Sequence, residues 1–214
     1  MEKLDRVGFN WEDEHGVVHK TRVRTKICVC DAPARAMVQN LKQFNGEYGC
    51  GFCYHAGQVV PKGRGFTRSY PLQEEIPQVR DMASTVELAE LVTRRNNGQA
   101  ELGVKGPSPL ILLPSFDIIK GFIPDYMHSV CLGVVRQFVN LWFDSRYSDS
   151  AFHLPPAKLL DIDRNLSNIQ PPNEVGRTPR ALSDRKFWKA SEWRAFLLLF
   201  SPSHLKKHIS KAVL

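Results

Sequence analysis

At 214 residues the chain is long enough to bury one sizeable core, or to be one domain carrying an insertion. Its 43% hydrophobic and 24% charged residues describe a globular protein and exclude a low-complexity chain. Lysine and arginine number 29 against 22 acids, a net charge of +7, which favours polyanion partners without implying that any base sequence is read. No run of about 18 apolar residues is present, so no transmembrane helix and no membrane partner are expected. The acidic opening MEKLDRVGFNWEDEHG lacks the apolar stretch of a signal peptide. With no export signal, the five cysteines are expected to be reduced and the compartment intracellular.

In chain order, Val7 to Trp11 and Val17 to Cys30 read as two strands joined by a turn with Gly16. Asp31 follows, and Pro33 opens a helical pattern carried by Ala34, Met37, Val38 and Leu41 and closed by Gly46. Cys50-x-x-Cys53 comes next, then AGQVVPKGRGFTRSYPLQEEIP, rich enough in Gly, Pro and Arg to read as a loop. Ser84 with Glu87 looks like a capping box opening a helix that Asn96-Asn97-Gly98 ends. GVKGPSPLILLPSFD reads as a short buried strand or extended piece. From Asp125 a long amphipathic helix runs through Met127, Val130, Cys131, Val134, Phe138, Leu141 and Trp142, with Leu132, Val135 and Val139 as a second apolar row. A weaker helix spans Lys158 to Ile169. A last strong one, capped by Ser183 or Asp184, runs through Trp188, Trp193, Phe196, Leu197 and Phe200, and His204 to Leu214 starts another. The chain begins on a strand and stops inside a helical pattern, so both ends read as cuts.

Four features could carry chemistry. Asp31 sits where a strand gives way to a helix, the place where α/β folds put ligand-binding groups, although the same position suits a plain N-cap. Cys50 and Cys53 have the spacing of half a metal site, or are two free thiols. Asp125 and His128 form D-x-x-H at the start of the long helix, with Asp125 a natural cap and His128 in the Leu132–Val135 row, pointing inward. Glu192 lies in KASEWRAFLLLF, a helix apolar nearly all round. A carboxylate there must be paired, protonated or metal-bound, and an ion pair and a metal-facing role stand level. Asp31 and Glu192 together make the acidic pair used in two-metal phosphoryl transfer, with Mg²⁺ as the hard cation.

Three stretches, CDAPARAMVQNLKQFNGEYGCGFCYHAG, DYMHSVCLGVVRQFVNLWFD and RTPRALSDRKFWKASEWRAFLLLF, resemble in order the catalytic region of CACTA-type (En/Spm) DNA transposases. The resemblance spans most of the chain from Lys26 to Pro202. It implies an α/β fold of the ribonuclease-H-like (DDE transposase/integrase) type, interrupted by a mainly helical insertion and N-terminally incomplete. The parts would be 1–49 as partial core, 50–170 as insertion with the Cys pair and the D-x-x-H helix, and 171–214 as the truncated C-terminal part of the core. It implies DNA strand cleavage and transfer with two Mg²⁺ ions, in the nucleus. Asp31 would be the second catalytic aspartate and Glu192 the catalytic glutamate. Asp125 and His128 would be the motif between them, and Cys50 and Cys53, with His55 or His128, would bind Zn²⁺.

The strand bearing the first catalytic aspartate has no counterpart, and neither Asp5 nor Asp13 sits in an apolar strand to replace it. The chain is therefore expected to be a transposase-derived domain that does not cut DNA. Its competitor is a non-catalytic, zinc-stabilised module binding DNA or a protein. A thiol redox enzyme built on Cys50 and Cys53 is the weakest reading, because no thioredoxin-like βαβ context surrounds them. Lys20, Arg22, Arg24 and Lys26 alternate along the second strand, and Arg177, Arg180, Arg185, Lys186 and Lys189 precede the Glu192 helix. Of these, Arg22, Arg24, Lys26, Arg180, Arg185 and Lys186 are the expected phosphate contacts. A homo-oligomer is compatible with all of this.

Overall fold

The computed structural model describes residues 2–176 and 178–201, so the expectations for Arg177 and for the helix from His204 fall outside the described residues. It mixes helix with small two-stranded sheets, as an α/β reading requires, and divides into two compact units, Met1–Pro124 and Asp125–Leu214. That division falls at neither of the expected boundaries, after 49 and after 170.

The first unit opens on a helix rather than a strand, α1 (Glu2–Arg6). Strands β1 (Phe9–Glu12) and β2 (Val18–Thr21) pair antiparallel, with Phe9 opposite Thr21 and Glu12 opposite Val18. The second strand therefore ends well before Cys30. Arg22, Arg24 and Lys26 lie beyond it and share no strand face. Strand β3 (Cys28–Cys30) pairs parallel with β6 (Phe122–Pro124), Cys30 opposite Pro124. Between them come α2 (Ala32–Val38), a hairpin of β4 (Gln58–Lys62) and β5 (Gly65–Ser69), and α3 (Met82–Arg95).

Three details correct the sequence expectation. The Gly- and Pro-rich loop after the cysteines is a hairpin. Its two-residue turn places Gly63 at φ +60°, which glycine adopts freely at the first position of such a turn, while Val59, Val60, Phe66 and Thr67 fill strand positions. Pro61 is tolerated because a two-stranded ribbon consists only of edges. Helix α3 is capped by Asp81, whose Oδ1 accepts from the Ser84 N–H at 2.9 Å, so Ser84 and Glu87 lie inside the helix and form no capping box. The GVKGPSPLILLPSFD segment holds a single 3-10 turn, Pro109–Leu112, rather than a strand. Leu113, Phe116, Ile118, Ile119 and Phe122 form the main core here, packed against Cys28, Cys30, Val38, Met82 and Val86.

The second unit is helical. The helix expected from Asp125 begins as a π-helical stretch, Met127–Val135, and becomes α4 (Arg136–Trp142). Helix α5 (Pro156–Ser167) follows, then a 3-10 turn, Leu182–Phe187. Helix α6 (Ala190–Ala195) runs into a second π-helical stretch, Phe196–Phe200. Cys131, Val135, Val139, Ile162, Leu166, Leu182, Trp188, Trp193, Phe196 and Phe200 bury together, so the helix from Asp125 contributes part of each apolar row to one core, whereas Met127, Val134 and Phe138 of the first row are exposed. Among the described residues no helix is long and apolar enough to cross a membrane.

Candidate functional site

Asp31 immediately follows β3 and caps α2, its Oδ1 accepting from the Ala34 N–H at 2.8 Å. The residue after β6 is also an aspartate. Asp125 accepts from the backbone N–H groups of Met127 (3.2 Å) and His128 (3.1 Å) and pairs through Oδ2 with His128 Nδ1. The His128 contact, followed by these N–H donors, holds the Asp125 carboxyl below the usual carboxylate range. His128 does not point inward: its side chain is 47% exposed, a correction to the sequence reading. A helix closed by i→i+5 bonds has a longer turn than an α-helix, so a 3.6-residue wheel misplaces side chains along it.

Glu192 lies in the second unit and Asp31 in the first. The Glu192 side chain is 7% exposed and both oxygens are engaged. Oε1 faces Arg180 Nη1 at 3.2 Å, and Oε2 accepts the Lys189 N–H at 2.7 Å, sealing the start of α6. Of the two expectations for this carboxylate, the ion pair is the one formed. Arg180, expected to touch DNA, instead neutralises Glu192 and comes within 4.0 Å of Asp184. Arg24 similarly lies 3.6 Å from Asp5, while Arg22 and Lys26 are exposed. Asp5 sits on α1, and Asp13 accepts from the backbone N–H groups of His15 and Val17 and pairs with His19 at 2.8 Å.

Around Cys50 and Cys53 the organising group is one that the sequence reading passed over. Arg80 is fully buried, and its guanidinium donates to three backbone carbonyls: Tyr48 (2.9 Å), Cys50 (2.9 Å) and Leu102 (2.7 Å). It also lies 4.3 Å above the Tyr54 ring. Burial lowers its pKa, and the neighbouring tyrosine and the two cysteines oppose that shift. Nothing local in QVRD marks Arg80, since its partners are 22 to 32 residues away. Burial raises the Cys53 thiol above its ordinary range, the Cys50 thiol adds to this, and Arg80 opposes it. His55 uses both ring nitrogens. Nδ1 accepts from the Gly57 N–H at 2.9 Å, which leaves Nε2–H to donate to the Pro71 carbonyl at 2.9 Å. Among the described residues no group of three or more His, Cys, Asp or Glu is gathered as a metal would need.

No family model, curated protein or solved structure matches the chain.

Arg80→Ala leaves three carbonyls without their donor. At roughly 1–3 kcal/mol for each orphaned buried acceptor it should lower stability by about 3 kcal/mol or more, read from the urea midpoint. Burial also sets the reactivity of the Cys53 thiol. Because burial favours its neutral form, alkylation by iodoacetamide at pH 8 should be slower than that of a free cysteine and should rise only at higher pH. A rate equal to the free thiol's would contradict the assignment.

Proposed function

We propose that the chain is a transposase-derived domain of the DDE, ribonuclease-H-like class, working on DNA in the nucleus, and that it does not cut DNA itself. The observation that carries the reading is the parallel pairing of β3 with β6, with an aspartate next in the chain after each strand. Side chains at the carboxyl ends of parallel strands are where α/β folds place acids that hold ions and phosphates. The intact family cleaves and transfers strands by holding two Mg²⁺ ions between carboxylates, activating the attacking oxygen and stabilising the leaving one.

In this chain Asp31 and Glu192 would be the holders. They do not amount to a full set of ion ligands. Asp31 keeps Oδ2 outside its cap, whereas Glu192 has both oxygens committed. Neither Asp5 nor Asp13 lies on a strand and supplies a third acid. A ligand set short of one acid and closed at another supports binding without cleavage.

The second reading, a non-catalytic module that binds DNA or a protein, is favoured by the same Arg180–Glu192 pair, since a buried carboxylate already neutralised gains little from a cation. Zinc at Cys50 and Cys53 fits only in part. The pair offers two of the four ligands a structural zinc takes, His55 has no lone pair to spare, and Arg80 stands as a competing cation.

With a supercoiled plasmid and Mg²⁺ or Mn²⁺ the chain should show no nicking above the Asp31→Ala background; nicking that Asp31→Ala abolishes would overturn the inactive reading. Metal analysis should return less than one zinc per chain, with no change in Cys50→Ser. A full equivalent lost in that variant would restore the zinc-stabilised module.

A further inference from the structure

A surface cleft of about 410 Å³ lies within the second unit. Arg136 and Asn140, one turn apart on α4, form one wall. Ser183, Arg185 and Lys186 of the 3-10 turn form the other. Every lining side chain can donate a hydrogen bond, three are cationic, and none is a carboxylate.

Arg185 is fixed in place. Its Nε donates to Asn140 Oδ1 at 2.9 Å, Nη1 donates to the Leu182 carbonyl at 3.1 Å, and the guanidinium lies 5.1 Å from the Phe143 ring centre. Two of its five donor hydrogens are spent on these neutral acceptors, which leaves three. No carboxylate forms an ion pair with it among the described residues. The acid whose charge reaches it, Asp163, accepts from the backbone N–H groups of Leu182 (2.5 Å) and Ser183 (3.4 Å). Lys186 rests over the Phe187 ring at 4.7 Å, and the Arg136 side chain has no hydrogen bond or ion pair among the described residues. Asp184, the acid inside the same turn, is not part of the lining and comes within 4.0 Å of Arg180.

A half-buried guanidinium, held rigid by neutral acceptors and flanked by two further cations, is short of counter-charge. A multi-oxygen anion supplies that charge and accepts the spare donors in one step; carboxylate and phosphate both suit a fixed guanidinium fork, and phosphate has the further oxygens and charge to meet the two flanking cations as well. We propose that this cleft binds a phosphate group, with Arg185 as the anchor and Arg136 and Lys186 as the neutralising pair. The group is a phosphodiester of a nucleic-acid backbone. This last step alone rests on the DNA reading above, because a free phosphate compound presents the same oxygens.

The test uses the whole chain, a short duplex of arbitrary sequence, and inorganic pyrophosphate. Duplex affinity is followed by fluorescence anisotropy across a salt series. Arg136→Gln combined with Lys186→Gln changes exposed side chains and should flatten the slope of log K against log salt by about two, one for each lost phosphate contact. Arg94→Gln, on α3 of the other unit, removes an equal type of charge and should not alter the slope. In parallel, the Arg185 Nε–H signal in a ¹⁵N spectrum should shift with duplex and with pyrophosphate. If the duplex binds but the double variant keeps the full slope, the cleft assignment is wrong and the DNA reading stands. If pyrophosphate shifts the signal and no duplex binds, the phosphate site stands and its nucleic-acid source is overturned together with the DNA reading. If neither ligand moves the signal, the proposal fails.

Discussion

The first unit is built around a positive charge that, among the described residues, forms no ion pair with an acid. Arg80 is fully buried, and the groups that accept from it are backbone carbonyls of Tyr48, Cys50 and Leu102. Each carbonyl carries a partial charge, so three of them, with the Tyr54 face above, spread the compensation that one carboxylate would concentrate. The arrangement also binds chain segments far apart in sequence, because Tyr48 and Cys50 belong to the cysteine turn and Leu102 to the segment after α3. Tyr48 and Leu102 both adopt positive φ, +54° and +44°, an uncommon backbone for side chains of their size that brings their carbonyls to Arg80. The geometry of Cys50 and Cys53 therefore follows from Arg80, and any account of the thiols has to include a cation beside them.

The second unit resolves the opposite problem. Glu192 brings a negative charge into an apolar helix and is answered by Arg180, twelve positions earlier, and by the N–H of Lys189 at the start of its own helix. Truncating one partner of such a pair strands the other, whereas the pair as a whole adds little net stability. The carboxylate is thus more constrained than stabilising, and that constraint fixes where α6 begins.

How much of this could be read from the sequence depended on how local each interaction was. Asp31 as a cap was legible because cap, proline and first apolar residue fall within a few positions of one another. The burial of Glu192 was legible from its apolar neighbours, but its partner was not, since Arg180 looked like one more member of a basic cluster. The β4–β5 hairpin was lost because Gly63, Gly65 and Pro61 read as breakers when they were a turn and a tolerated edge. His128 was misplaced by applying an α-helical wheel to a π-helical stretch. The parallel pairing of β3 with β6, which joins positions more than ninety residues apart, left no periodic trace at all.

A net charge of +7 says that cations exceed acids, but not which cations are available to a ligand. Pairing decides that. Arg180 and Glu192, Arg146 and Asp144, Arg95 and Glu101, and Arg24 and Asp5 close on one another, and in doing so withdraw charges that a residue count would assign to a DNA-facing surface. The Asp144 carboxyl, held at about 2 by Arg146, shows how firmly even an exposed pair can hold its acid in the charged form. After this subtraction the basic surface is no longer uniform. Among the described residues Arg136 and Lys186 stay unpaired with acids beside an Arg185 that is fixed by neutral groups. An incoming polyanion releases counterions only from charges not already neutralised within the fold, so the position of its contacts is set by the acids the protein has placed elsewhere.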